Sequence, residues 1–217
     1  RLPLLGPLPC VAFVLLLLTL RRGSWREAFL STAVVWGAYL TLIVEVLSLF
    51  RFLTFGALLA AWSGLTVPAA VVWLRRRDRF GLPSVPYPAY WGLTAAVLAV
   101  VGFVAVAAPP NTCDSMTYHM SRVMHWIQNR EVGFYATGIE RQVNLGPWAE
   151  YAILNFQLLA GGDRFANLVQ WFSLAGSVVG VSLIARELGG REKAQAFAAL
   201  FAATLPMGIL QGSSTQN

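Results

Sequence analysis

The sequence predicts an all-α, polytopic membrane protein with about six transmembrane helices and two short interfacial helices in one outer loop. Three observations predict it. Of the 217 residues 57% are hydrophobic and only 12% are charged, about half the ~25% charge of a soluble domain, and the mean hydropathy is +0.60. Six apolar stretches approach the ~20 residues that a helix needs to cross a ~30 Å hydrocarbon core. Of the Lys, Arg, Asp and Glu residues, Glu45 alone falls inside those stretches, in line with the ~2.5–3.5 kcal/mol that a mid-bilayer charge costs on insertion. Cys10 and Cys113 are the two cysteines, too few for a disulfide framework or a zinc module.

In chain order, residues 4 to 20 form a short first stretch whose arginines follow the apolar run and which has no small-residue cleavage site, so it reads as a retained helix. The next stretches, 29 to 50 and 52 to 74, are long enough to span, and Pro68 in the latter should kink the helix without ending it. Residues 89 to 108 form a fourth span and 165 to 185 a fifth. The sixth, 194 to 210, is again short and contains Pro206. Residues 1–88 thus group as three N-terminal helices with cytoplasmic loops, and 89–217 as a second unit. With no initiator Met and a stop directly after a helix, the chain is expected to be a fragment.

Orientation follows from the arginines. The connections 21 to 28, 75 to 88 and 186 to 193 hold ten of the sixteen Lys and Arg residues, including the run Arg75, Arg76, Arg77 and Arg79. Basic loops face the cytoplasm, so both chain ends and the loop 109–164 are expected outside it. Those inner loops carry four acidic residues against their ten bases, which accounts for the whole net charge of +6. The excess is a topology signal, and no nucleic acid partner is implied.

The outer loop 109–164 gathers the remaining polar chemistry. Pro109 and Pro110 stop the fourth span, and Asp114 stands where it can cap the next helix. Met116, Met120, Val123, Met124 and Ile127 recur at helical spacing, with Tyr118, His119, Arg122, His125, Trp126 and Asn129 between them, so 115 to 129 reads as an amphipathic helix at the membrane surface. A second short helix is expected from Pro147 to Ala160, closed by Gly161 and Gly162, with Asp163 capping the next span. That helix is too short to span and too apolar to be solvated, and should lie in the headgroup region or against the bundle. Its Glu150 should pair with Arg141 or Arg122, because an unpaired carboxylate there is costly. Glu45, near the outer end of its span, should pair between helices, and Asn167 and Gln170 should make interhelical hydrogen bonds.

Three segments in order carry a family resemblance: Asp114-Ser115-Met116-Thr117-Tyr118-His119, then Gly146-Pro147-Trp148-Ala149-Glu150-Tyr151, then Leu159-Ala160-Gly161-Gly162-Asp163-Arg164-Phe165-Ala166-Asn167-Leu168. Together they resemble the first extracytoplasmic loop of the glycosyltransferase C superfamily, closest to its protein O-mannosyltransferase and aminoarabinose transferase branch. The resemblance covers roughly 90 to 217. It implies an integral enzyme of the cytoplasmic membrane, active on the extracytoplasmic face, that moves a sugar from a polyprenyl-phosphate donor to an acceptor. Asp114 is then the candidate catalytic base, since displacement at an anomeric carbon needs a carboxylate for the acceptor proton. His119, Arg122, Arg141 or a divalent metal would meet the departing phosphate. Tyr118, Trp126 and Trp148 would stack on sugar or anchor the loop at the interface, and Glu150 completes the substrate-binding set. Where the family pattern has a Lys before its prolines, Asn144-Leu145-Gly146-Pro147 has none, and Arg141 is the nearest cation.

Two other classes compete. A transporter or flippase for a lipid-linked substrate would place polar groups at the midplane, on discontinuous helices in repeated halves, whereas these spans are nearly free of charge. A non-catalytic membrane assembly subunit is the third reading.

Overall fold

A computed structural model describes residues 5–21, 23–75 and 85–215. Arg22, the arginines at 76, 77 and 79, and the last two residues of the C-terminal polar run lie outside the described residues. The described residues form helices and no strand. In order they are α1 Leu8–Leu20, α2 Trp25–Leu49, α3 Phe55–Arg75, α4 Pro88–Ala107, a π-helical turn Ser115–His119 that runs into α5 Met120–Asn129, α6 Arg141–Asn144, α7 Trp148–Ala160, α8 Leu168–Glu187, α9 Glu192–Ala203 and α10 Pro206–Gly212.

Helices α2, α3, α4 and α8 are long and apolar enough to cross a bilayer. Their outward faces match lipid: α4 buries only Thr94, Val101 and Ala105, while Leu93, Val100 and Phe103 point out and are mostly exposed. The expected six spans become four, or five when α9 and α10 are counted as one. That pair is bent by 61°, because Pro206 cannot donate to the preceding turn and starts a new helix. α1 has 13 residues, about 20 Å of helix, short of the hydrocarbon thickness. Pro68, by contrast, sits inside an unbroken α3.

Among the described residues, connections meet at two ends of the bundle. At one end Arg26 of α2 donates to Ser182 Oγ of α8 at 2.5 Å and to Gln195 Oε1 of α9 at 2.7 Å, and Arg186 pairs with Glu27. The arginine-bearing connections 21 to 28 and 186 to 193 therefore meet. At the other end the short α2–α3 connection meets the long loop: Val132 N–H donates to Ser48 Oγ at 2.9 Å, Leu53 N–H to the Arg130 carbonyl at 3.3 Å, and Arg51 pairs with Glu131 at 3.0 Å.

The core lies beneath this second end. α7 is driven into the bundle: Glu150 to Phe156 and Leu158 to Ala160 are all buried, packed against α1, α2, α3, α5 and α8. A 13-residue helix that is apolar on every side can satisfy itself only there. Besides Glu150, its buried polar residue Asn155 is matched. Asn155 takes the Trp62 indole N–H at 2.8 Å and donates to the Tyr151 carbonyl at 2.8 Å. Asn167 donates to the Ala108 carbonyl at 3.0 Å, tying α8 to the end of α4.

Candidate functional site

The site is built on the helix that opens at Thr112. The Thr112 hydroxyl accepts the Ser115 N–H at 3.2 Å, the bond of an N-cap, so Asp114 is not the cap that its position suggested. It lies inside the helix with ordinary α dihedrals, and its carboxylate is left to face outward. Nor does Asp163 cap α8 through its side chain. Its backbone carbonyl takes the Ala166 N–H at 2.9 Å, and α8 begins after Asn167.

Between Ser115 and His119 the helix widens to π geometry, with the Met120 N–H bonded to the Ser115 carbonyl. The extra residue shifts the register, a device frequent at functional sites. Ser115, Tyr118, His119, Arg122, Val123 and Trp126 thereby share one buried face, while Asp114 stays at its edge.

Five of the predicted residues converge here, with Arg122 joining them from one turn further on. At the rim the Asp114 carboxylate lies 3.9 Å from the Arg141 guanidinium, both well exposed, and Arg141 sits 5.9 Å over the Tyr118 ring. Burial and then the Asp114 charge push the Tyr118 phenol above its ordinary pKa, so it stays protonated and able to donate. Its ring lies 4.1 Å from that of His119. Below the rim His119 Nδ1–H donates to Glu150 Oε1 at 2.9 Å; a carboxylate acceptor fixes the proton on that nitrogen. Arg122 approaches the same oxygen at 3.8 Å, donates to the Leu145 carbonyl at 2.9 Å and lies 4.7 Å over Trp126. The expected partner of Glu150 is thus Arg122, with His119 nearer still, and Arg141 is given to Asp114.

Trp148 stands apart. Its indole packs over Gly37 of α2 and lines an apolar groove with Cys10, Phe13, Trp36 and Phe172, on the other side of α7 from Glu150.

Three features were not legible in the residues. Thr215, past the end of α10, is buried and donates to Ser115 Oγ, so the residues that follow α10 are seated against the helix that bears Asp114. Gln142 is buried in α6 and accepts from Tyr135 at 3.2 Å and Thr137 at 2.9 Å, while donating to the Thr117 carbonyl at 2.7 Å. His125, expected on a polar outer face, stacks on Tyr135 at 4.0 Å. Glu45 is paired between helices as expected, with Tyr151 donating to it at 2.5 Å; burial and that bond raise the Tyr151 phenol far above its ordinary value.

Among the described residues no three His, Cys, Asp or Glu side chains gather as a metal site would require. Compared with known proteins, the sequence matches no family model and no curated protein, and the fold matches no solved structure.

Proposed function

We propose that the chain carries the reacting site of an integral membrane glycosyltransferase that moves a sugar from a polyprenyl-phosphate donor to an acceptor on the extracytoplasmic face of the cytoplasmic membrane. The observation that carries this reading is the exposed Asp114 carboxylate beside the Arg141 guanidinium, backed by the buried His119, Glu150 and Arg122, at the level where the apolar spans end. A lipid-borne donor presents its sugar and phosphate at that depth.

The chemistry divides between the two charges. The acceptor hydroxyl oxygen bonds to the anomeric carbon as the bond from that carbon to the phosphate oxygen breaks. Asp114 takes the acceptor proton, and the phosphate leaves with its negative charge toward Arg141, with Arg122 behind it. Glu150 holds His119 and Arg122 in position, and Tyr118 borders the sugar.

The test is Asp114→Asn in the protein in its own membrane, assayed with a polyprenyl-phosphate sugar. Transfer should fall by at least 100-fold, the scale of a lost general base, with insertion unchanged; undiminished transfer overturns the assignment. One observation favours the transporter reading, the 61° break between α9 and α10, since discontinuous helices line transporter sites. Movement of the lipid-linked sugar across the bilayer without any transfer would establish that alternative.

A further inference from the structure

A second cleft, with polar and apolar lining, lies beside α6. It has a volume of about 330 Å3 and is bounded by Glu45 and Ser48 of α2, Arg122 and Trp126 of α5, Phe134 and Tyr135 of the following loop, Gln142 of α6, and Tyr151 of α7. Neighbouring residues of α6 face two sites: Arg141 turns to Asp114, while Gln142 lines this cleft. Glu45 sits on a helix of the first unit, outside the stretch that carries the transferase resemblance.

The lining selects a ligand. The volume is at the lower end of the ~300–1,000 Å3 of small-molecule pockets, which fits one ring and excludes a lipid tail or a folded peptide. Glu45 is an exposed hydrogen-bond acceptor, and the Tyr151 hydroxyl that donates to it is held protonated. The two charged side chains of the lining, Glu45 and Arg122, are of opposite sign, so the cleft presents no strong excess of either charge. Phe134 is 86% exposed at the rim, an apolar ring that packing leaves unused, and Tyr135 beside it is held rigid by His125 and Gln142. An aromatic face set against fixed hydrogen-bonding groups matches a ring with one C–H face and a hydroxylated edge.

We propose that this cleft is a binding site for a single uncharged sugar ring, beside the Asp114 site, with which it shares Arg122, and independent of whether the chain transfers sugar. The test needs no donor. The purified protein in detergent is titrated into the millimolar range with methyl glucoside, methyl mannoside and methyl galactoside, alongside glucosamine and glucuronate as charged probes, and binding is followed by calorimetry. Saturable binding of at least one methyl glycoside, weaker binding of both charged probes, and a loss of at least 10-fold in both Glu45→Gln and Phe134→Ala are expected. Phe134 is a surface side chain, so its truncation leaves the fold in place, which a thermal melt checks. Absence of saturable binding overturns the proposal and leaves Phe134 as an interfacial anchor. Binding that either variant leaves intact, or that prefers a charged probe, overturns it as well.

Discussion

At the residue scale the decisive contrast is between two carboxylates. Asp114 is exposed and weakly paired, and a surface ion pair of its kind contributes only about 0–1 kcal/mol. Glu150 is 1% exposed and shared by His119 and Arg122. Removing one member of such a buried group leaves the others uncompensated, at a cost of about 3–5 kcal/mol. Glu150→Ala should therefore lower stability by that amount in detergent unfolding, and Glu150→Gln, which keeps the shape but also removes the charge, by nearly as much; a near-normal Glu150→Gln would mean that charge plays no part. The sequence revealed part of this arrangement. That Glu150 needed a cation followed from burying a carboxylate in an apolar helix, whereas His119, 31 residues away, was hidden because its inward direction depends on the π turn. The displacement of Trp148 was readable in principle: it precedes Glu150 by two residues, about 200° around a helix, so the two could not share a face.

At the scale of elements, what was legible is what periodicity and length control. The amphipathic α5, the apolar α7 and the four long spans all followed from residue pattern, and the Pro-Pro stop located the helix that bears Asp114. The count of spans did not, because two segments of adequate apolarity are too short or broken: α1 as described, and the α9–α10 pair at Pro206. Helix spacing is set instead by small residues. A Cβ on Gly102 of α4 would come 2.8 Å from the Trp171 indole nitrogen of α8, which donates to the Leu98 carbonyl at 2.8 Å. Gly102→Ala should thus separate α4 from α8 and cost about 1–3 kcal/mol, the usual penalty of overpacking, visible as a lower melting temperature, with Trp171→Phe restoring part of it. Restoration would fail if Gly102 served only backbone flexibility.

For the whole molecule, charge and contacts agree on two unlike ends. One is closed by Arg26, Glu27, Arg186 and Gln195; the other opens into the polar loop. In the proposed topology the closed, arginine-bearing end faces the cytoplasm. Cys113, exposed beside Asp114, makes that orientation measurable without adding a cysteine. A membrane-impermeant maleimide should label intact cells at Cys113, and Cys113→Ser should abolish the signal. Labelling only after permeabilisation would invert the topology and remove the polar loop from the outer face.

The bond from Thr215 to Ser115 also has a meaning in time. The two residues are 100 positions apart, so a ribosome adding ~5–20 residues per second makes the second on the order of 5–20 s after the first. Through that interval the helix that bears Asp114 lacks the contact that seats its opening turn, and only the arrival of α9 and α10 supplies it. Biogenesis is thereby ordered: Asp114 reaches its final setting after α9 and α10 have been made, and a chain stalled earlier presents an unfinished loop for quality control to find.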